Sequence, residues 1–347
     1  MDAELEKLKT QIEAYLTRRL GGEATIASMK SLSGGACQDN YLVDLKIAGG
    51  KEAGDYGLVL RTDAGASLLS SLGRAEEYRV AKAAYQNGVT TPKPYWLETD
   101  MSAIGKQFYF MERIEGKATG RYVVKDRELN PVRKDFARLL AENLAGIHGV
   151  TPASADDELK KVLNAVPADG SNEIALTAIQ SLRDMLADLP EAHPALELAV
   201  NWMEQNAPTT DAPVLVHGDF RTGNFMVSPA GLHGIVDWEF AHWGDRHEDI
   251  SWLCMRDWRF GKLNKEVGGF ADRSDFYAAY EKASGHAVDS AKVRFWEIMG
   301  NSRWAIGSVQ QAERHLSGAD KGIQLAAIGR RCCEMEYEVM RLIDHAG

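Results

Sequence analysis

Cysteine is scarce in this chain, with four in 347 residues. Cys37, Cys254, Cys332 and Cys333 form no C-x-x-C pair, and adjacent cysteines such as Cys332 and Cys333 rarely bridge each other. The expectation is four reduced thiols with structural roles in a cytoplasmic protein. Long apolar runs are missing too, so nothing approaches membrane-spanning length and no membrane partner is expected. The first twenty residues, MDAELEKLKTQIEAYLTRRL, mix acids and bases at helical spacing. They lack the basic stretch and apolar core of a signal peptide. Basic excess is absent: 40 Lys and Arg face 50 Asp and Glu, a net charge of −10. That argues against a long nucleic-acid surface, which needs clustered cations to displace counterions. It leaves room for a nucleotide site, since a triphosphate needs only a few local cations and a metal. Internal repeats and low-complexity linkers are also lacking.

What remains is an ordinary globular composition, 45% apolar and 26% charged, in a chain long enough for two lobes. Leu5, Leu8, Ile12, Leu16 and Leu20 recur at helical spacing, and Gly21-Gly22 stops that helix. Tyr41, Val43, Leu45 and Ile47 then alternate with polar neighbours as a half-buried strand does, and YGLVLR reads as its return strand. Residues 72–86 are helical by composition and stop at Asn87-Gly88. PKPYWLE and QFYFMERI read as two more strands around a turn at residues 99–105. Beyond residue 116 the character changes. PVRKDFARLLAENLAGIHG is a strong amphipathic helix with Pro131 suited to its first turn. Further helical stretches are interrupted by the short apolar strands VLVH, NFMV and GLHGIVDW. The pattern predicts an α+β protein with a small β-rich lobe over 1–113 and a larger, mostly helical lobe over 114–347.

The densest chemical signal is VHGDFRTGNFMV, followed by GIVDWEFAHWGD. Phosphoryl transfer needs a carboxylate near the acceptor hydroxyl, oxygen ligands for Mg²⁺, and cations to absorb charge on the phosphoryl oxygens. Asp219 and Asn224 lie five apart between two short strands, and Asp237 ends the next strand. Two carboxylates and an amide on one pair of loops suit a hard metal. Asp219, Asn224 and Asp237 together therefore make a candidate hard-metal site.

The interval from Asp219 to Asn224 equals the Asp-to-Asn interval of the protein-kinase catalytic loop. The H-G-D form at 217–219, followed by I-V-D-W-E at 235–239, resembles the aminoglycoside phosphotransferase/choline kinase-like family. VLR, RAEEYRV, FYFMERIEG and HGDFRTGN look closest to the phosphotransferase domains linked to acyl-CoA dehydrogenases. The resemblance covers nearly the whole chain and implies a protein kinase-like bilobal fold. It makes Asp219 the catalytic base and Asn224 and Asp237 the Mg²⁺ ligands, and it puts Arg221 where kinases often carry a cation that contacts the moving phosphoryl group. It implies that Asp249 hydrogen-bonds the backbone of the catalytic loop.

In the nucleotide lobe, kinase-type chemistry calls for a strand cation that grips phosphates, paired with a helical acid. Arg61 stands at the strand end where Lys is usual, and Glu77 follows on the next helix with Glu76 as competitor. An arginine fork can hold two phosphate oxygens. Ser33, Gly34 and Gly35 lie between two strands where backbone N–H groups can approach phosphates. FYFMERIEG resembles a hinge, with backbone groups of Glu112 and Ile114 facing the base.

The expected partners are a nucleoside triphosphate, ATP or GTP, and a small hydroxyl acceptor: an aminoglycoside, a hydroxyacyl group or a hydroxyacyl-CoA. Trp258 and Arg259 are candidates for an acceptor pocket, though their spacing also fits a helix core. Arg61 in place of Lys keeps a second reading open, a catalytically weak, kinase-like regulatory protein that binds nucleotide. Oligomeric state is not legible. A peptide kinase is disfavoured, because Asp237 is followed by Trp-Glu and no A-P-E segment appears.

Overall fold

The structure is a computed structural model describing residues 2–32, 38–63, 71–318 and 322–345. Ser33, Gly34 and Gly35, expected to approach phosphates, lie outside the described residues. The chain forms two compact units. One comprises residues 1–117, 154–163 and 224–241; the other comprises 118–153, 164–223 and 242–347.

The first unit opens with α1 (Asp2–Leu20), followed by β1 (Glu23–Leu32), β2 (Gln38–Ala48) and β3 (Gly54–Asp63). Next come α2 (Arg74–Gln86), β4 (Pro94–Glu98) and β5 (Phe108–Glu112). The strands form one antiparallel sheet in the order β1-β2-β3-β5-β4. Val43, Leu45 and Ile47 of β2 are buried, as their alternation predicts, and Tyr41 is half-buried. Ile12, Tyr15 and Leu16 of α1 pack on that face with Leu58, Leu60, Phe108 and Phe110. On β3, Leu58, Val59, Leu60 and Arg61 are all buried, the pattern of a central strand covered on both faces. Arg61 is therefore a cation carried into the interior by strand register.

The second unit begins with α3 (Gly120–Lys125), α4 (Asn130–Arg133) and α5 (Phe136–His148). The single helix expected here is divided at Lys134 and Asp135. Both residues keep right-handed backbone angles, while the Arg133 guanidinium turns back onto the Val123 and Asp126 carbonyls. The helix α6 (Asp157–Val162) belongs to the first unit, where Arg79 of α2 pairs with Glu158 at 3.0 Å. Then follow α7 (Glu173–Ala187), α8 (Pro194–Gln205), β6 (Val214–Val216), β7 (Phe225–Ser228), β8 (Gly231–Ile235) and β9 (His242–Gly244). The hairpin β7-β8 falls in the first unit, whereas β6 pairs with β9 in the second. The strand β9 is three residues long, too short to leave an alternation signal.

The remaining helices are α9 (Arg246–Cys254), α10 (Arg273–Ser284), α11 (Ser290–Leu316), α12 (Ile323–Gly329) and α13 (Cys332–Asp344). A core cluster of this unit joins α7, α8, α11 and α13 through Leu182, Val200, Met203, Trp296, Ile298, Met335 and Val339. Among the described residues, no helix is long and apolar enough to cross a membrane.

Candidate active site

In the first unit, Arg61 of β3 meets Glu77 of α2, with Nη2 2.6 Å from Oε1. Both are buried. Arg74 binds the other oxygen of the same carboxylate and also reaches Asp63 at 3.1 Å. Glu77 is thus held from both sides, while Glu76, its rival in the sequence, is only half-buried. Arg61 Nη2 also lies 3.4 Å from Asp237 Oδ1. Burial opposes charge on Arg61, but Glu77, with Tyr109, Asp237 and Glu239, outweighs it and holds the guanidinium above its ordinary range. The Nε of Arg61 is buried and has no hydrogen-bond partner among the described residues. Arg61, Glu77 and Asp237 line one narrow cavity whose other walls include Pro92, Met111 and Val236.

Asp237 follows β8 and adopts a φ of +75°, a conformation that L-residues rarely take. Strain of this kind costs on the order of 1–3 kcal/mol and persists where the surroundings over-determine it. Those surroundings are visible. The Val236 N–H donates to the Asn224 carbonyl at 3.0 Å, and the Ile235 N–H donates to Thr90 O at 2.8 Å. Thr91 Oγ1 donates to Ile235 O and accepts from Trp238 Nε1. Asn224 precedes β7 and Asp237 follows β8, so one hairpin supplies both expected metal ligands. The hairpin lies close to the chain after β5: a Cβ on Gly234 would stand 2.5 Å from Ile114 Cδ1. The Glu112 N–H, assigned to the base edge from sequence, donates to Lys93 O at 2.8 Å.

In the second unit, β6 delivers His217, Gly218 and Asp219. Gly218 has φ +76°, which a side chain would resist. Asp249, in the first turn of α9, accepts from the His217 N–H at 2.7 Å and the Gly218 N–H at 3.0 Å. It therefore clamps the loop backbone as the sequence resemblance implied. Asp245 caps the same helix through a reciprocal capping box with Glu248. Burial pushes Asp249 up, but hydrogen bonds from His148 and the His217 N–H hold its carboxyl below the usual range. His217 is fully buried, and its Nδ1 accepts from the Asp219 N–H. This fits a scaffold role.

Asp219 is buried, and two donors orient it. Arg221 Nε stands 2.9 and 3.1 Å from its two oxygens, and Trp252 Nε1 donates to Oδ1 at 2.8 Å. Arg221 lies over the Trp258 ring, 4.5 Å from the centroid, a cation–π arrangement that also fixes the guanidinium. Trp252 was not among the residues singled out from sequence. Its signal was its position three after Asp249 on one helix, which turns both side chains toward the H-G-D loop. The other acceptor candidate, Arg259, is buried and hydrogen-bonded to Cys254 O and Leu263 O, a structural anchor.

A small antiparallel sheet with a helix bearing the acid partner of its buried cation, and a helical unit carrying an H-G-D loop, define a kinase-like phosphotransferase class. The chain belongs to the phosphotransferase enzyme family, which it matches over residues 28–289. Among curated proteins it is 28% identical over 314 residues to a probable acyl-CoA dehydrogenase of Arabidopsis thaliana, covering 80% of this chain and 36% of that protein. The chain thus spans about a third of that relative's length. A putative aminoglycoside phosphotransferase from Ralstonia eutropha has a similar structure, with a TM-score of 0.72 and 22% identity over 97% of this chain and 98% of that one. The GDP and kanamycin complex of APH(2")-IIia superposes with a TM-score of 0.59 at 16% identity, over 96% and 99% of the two chains. These likenesses support the α+β, kinase-like fold expected from the sequence.

Proposed function

We propose that the protein transfers the terminal phosphoryl group of MgATP or MgGTP to a hydroxyl of a small molecule. One observation carries this reading. Buried Arg61 touches both Glu77 and Asp237, so the phosphate-gripping cation, its helical acid and a metal-binding carboxylate form one continuous chain. Phosphoryl-transfer enzymes need these three groups in register.

The donor set suits Mg²⁺. Asn224 and Asp237 offer hard oxygens from one hairpin, and the Asp237 side chain is one-third exposed, able to turn from Arg61 to a cation. Asn224 and Asp237 would hold Mg²⁺ there, which would supply positive charge against the charge developing on the phosphoryl group. Arg61 grips the phosphates and Glu77 keeps its fork oriented. The apolar walls at Pro92, Met111 and Val236 suit the base of the nucleotide. Asp219 orients the acceptor hydroxyl and takes its proton as the oxygen attacks the γ-phosphorus and the bond to the β–γ bridging oxygen breaks. Arg221 leaves the carboxylate for the transferring phosphoryl group, guided by the face of Trp258. A hydroxyacyl or hydroxyacyl-CoA acceptor is favoured by the acyl-CoA dehydrogenase relative, and an aminoglycoside by the structural neighbours' names.

The test incubates the protein with MgATP or MgGTP and panels of hydroxyacyl-CoA esters and aminoglycosides, and reads phosphate gain by mass spectrometry. Activity that Asp219→Asn abolishes supports the assignment. Equal activity of the two proteins removes Asp219 from its role. Tight nucleotide binding with no product from any acceptor favours the regulatory reading instead.

A further inference from the structure

Among the described residues, His193, Cys332 and Glu336 bring three metal-ligating atoms within 4.8 Å of one another. None belongs to the phosphotransfer machinery. His193 caps the start of α8; Cys332 opens α13, and Glu336 follows one helical turn later, so both α13 side chains lie on one face. His193 Nδ1 is 2.8 Å from Glu336 Oε1 and 3.8 Å from Cys332 Sγ. Cys332 is buried, while the His193 and Glu336 side chains are 13% and 22% exposed.

We propose that His193, Cys332 and Glu336 form a binding site for a borderline-soft divalent cation of the Zn²⁺ class. Imidazole, thiolate and carboxylate are the three ligand types that such an ion takes, and N/S/O donors exclude the hard Mg²⁺ preference of the phosphotransfer centre. The dimensions agree. Bonds of about 2.0 Å to nitrogen and 2.3 Å to sulfur in a tetrahedron put the two donors about 3.5 Å apart, close to the separation found here. The carboxylate needs to move outward by only about 0.5 Å to exchange its hydrogen bond for a metal bond. His193 also lines a cleft of about 430 Å³ together with Glu191, Glu197 and Asn201. The fourth ligand can be water or a further carboxylate. As the cation enters, the Cys332 thiol releases its proton to solvent and becomes thiolate. The ion would then tie the α7–α8 turn to the last helix, where a His193–Glu336 hydrogen bond otherwise makes that link.

The probe is Co²⁺, added to the metal-stripped full chain, with Zn²⁺ as competitor. The expected result is one Co²⁺ per chain with a thiolate-to-cobalt absorption band, abolished by Zn²⁺. Cys332→Ser loses the band, and Cys333→Ser, altering the exposed neighbour, keeps it. Glu336→Gln retains an acceptor for His193, so its fold is safeguarded, yet it loses about tenfold or more in affinity. Zn²⁺ raises the unfolding temperature of wild type and leaves that of Cys332→Ser unmoved. Absence of the band in excess Co²⁺, or a band that survives Cys332→Ser, overturns the proposal.

Discussion

Asp219 is a carboxylate held by two donors. Arg221 and Trp252 together fix its rotamer, both reaching Oδ1, while Oδ2 has only the 3.1 Å contact from Arg221. If Asp219 is the proton acceptor, Asp219→Asn lowers kcat by about 10²- to 10⁴-fold, the usual contribution of a positioned general base, with little change in nucleotide KM. A drop below tenfold would move the base elsewhere. Any catalytic effect of Trp252 would come through its hydrogen bond to Asp219. Trp252→Phe keeps the ring packing and removes the indole donor, whose net worth of about 1 kcal/mol corresponds to a kcat loss of about fivefold. A purely structural tryptophan would shift the unfolding temperature and leave kcat per folded molecule intact, so both are measured. Neither effect is visible in the sequence. The H-G-D-x4-N spacing marks Asp219, but the indole that aims it lies 33 residues away and becomes a neighbour only through β6, β9 and α9.

At the scale of elements, the joint between α5, α9, α10 and the loop after β6 holds the H-G-D segment. Asp249 accepts two backbone N–H groups there and lies 3.3 Å from His148 Nε2, while His148 Nδ1 meets the Tyr280 hydroxyl at 2.7 Å. A carboxylate only accepts, so Nε2 carries the proton and Nδ1 accepts from Tyr280. Burial holds His148 below the ordinary imidazole range, although Asp249 pulls the other way. An unfolded histidine gains a proton near pH 6.5 that the folded one refuses, so stability falls as pH drops below about 6.5. The depressed Asp249 adds stability above its unfolded pKa of about 3.9 that is lost as pH falls through its lower folded value. Thermal unfolding at pH 7 and pH 5 should therefore show a loss in wild type that His148→Gln reduces. An unchanged loss in the variant would assign the acid sensitivity to other groups. Asp249→Ala strands the His217 and Gly218 N–H groups and the His148 Nε2–H, and costs about 2–4 kcal/mol in stability by denaturant titration.

For the molecule as a whole, the proposed nucleotide binding is the property that would tie Arg61, Asn224 and Asp237 together. Ligand at 100 times its Kd raises stability by about 2.7 kcal/mol. The expected outcome is a thermal shift with MgATP or MgGTP, smaller with EDTA present, and a magnesium-dependent part that vanishes in Asp237→Ala. A magnesium-dependent shift of full size in that variant would strip Asp237 of its ligand role. The alternation of β2, the helical spacing of α1 and the break at Asn87-Gly88 were legible in sequence, because a strand or helix that buries one face must repeat its apolar residues at a fixed period. Asp219, Asn224 and Asp237 could be singled out as candidates for a related reason, since phosphoryl transfer admits few residue types at few spacings. Burial of Arg61 against both Glu77 and Asp237 was decided only by tertiary structure, as were the Asp249 clamp, the indole on Asp219 and the His193–Cys332–Glu336 cluster. Each depends on which helix face meets which strand, and that is a matter of packing between residues tens to hundreds of positions apart, where local periodicity carries no information.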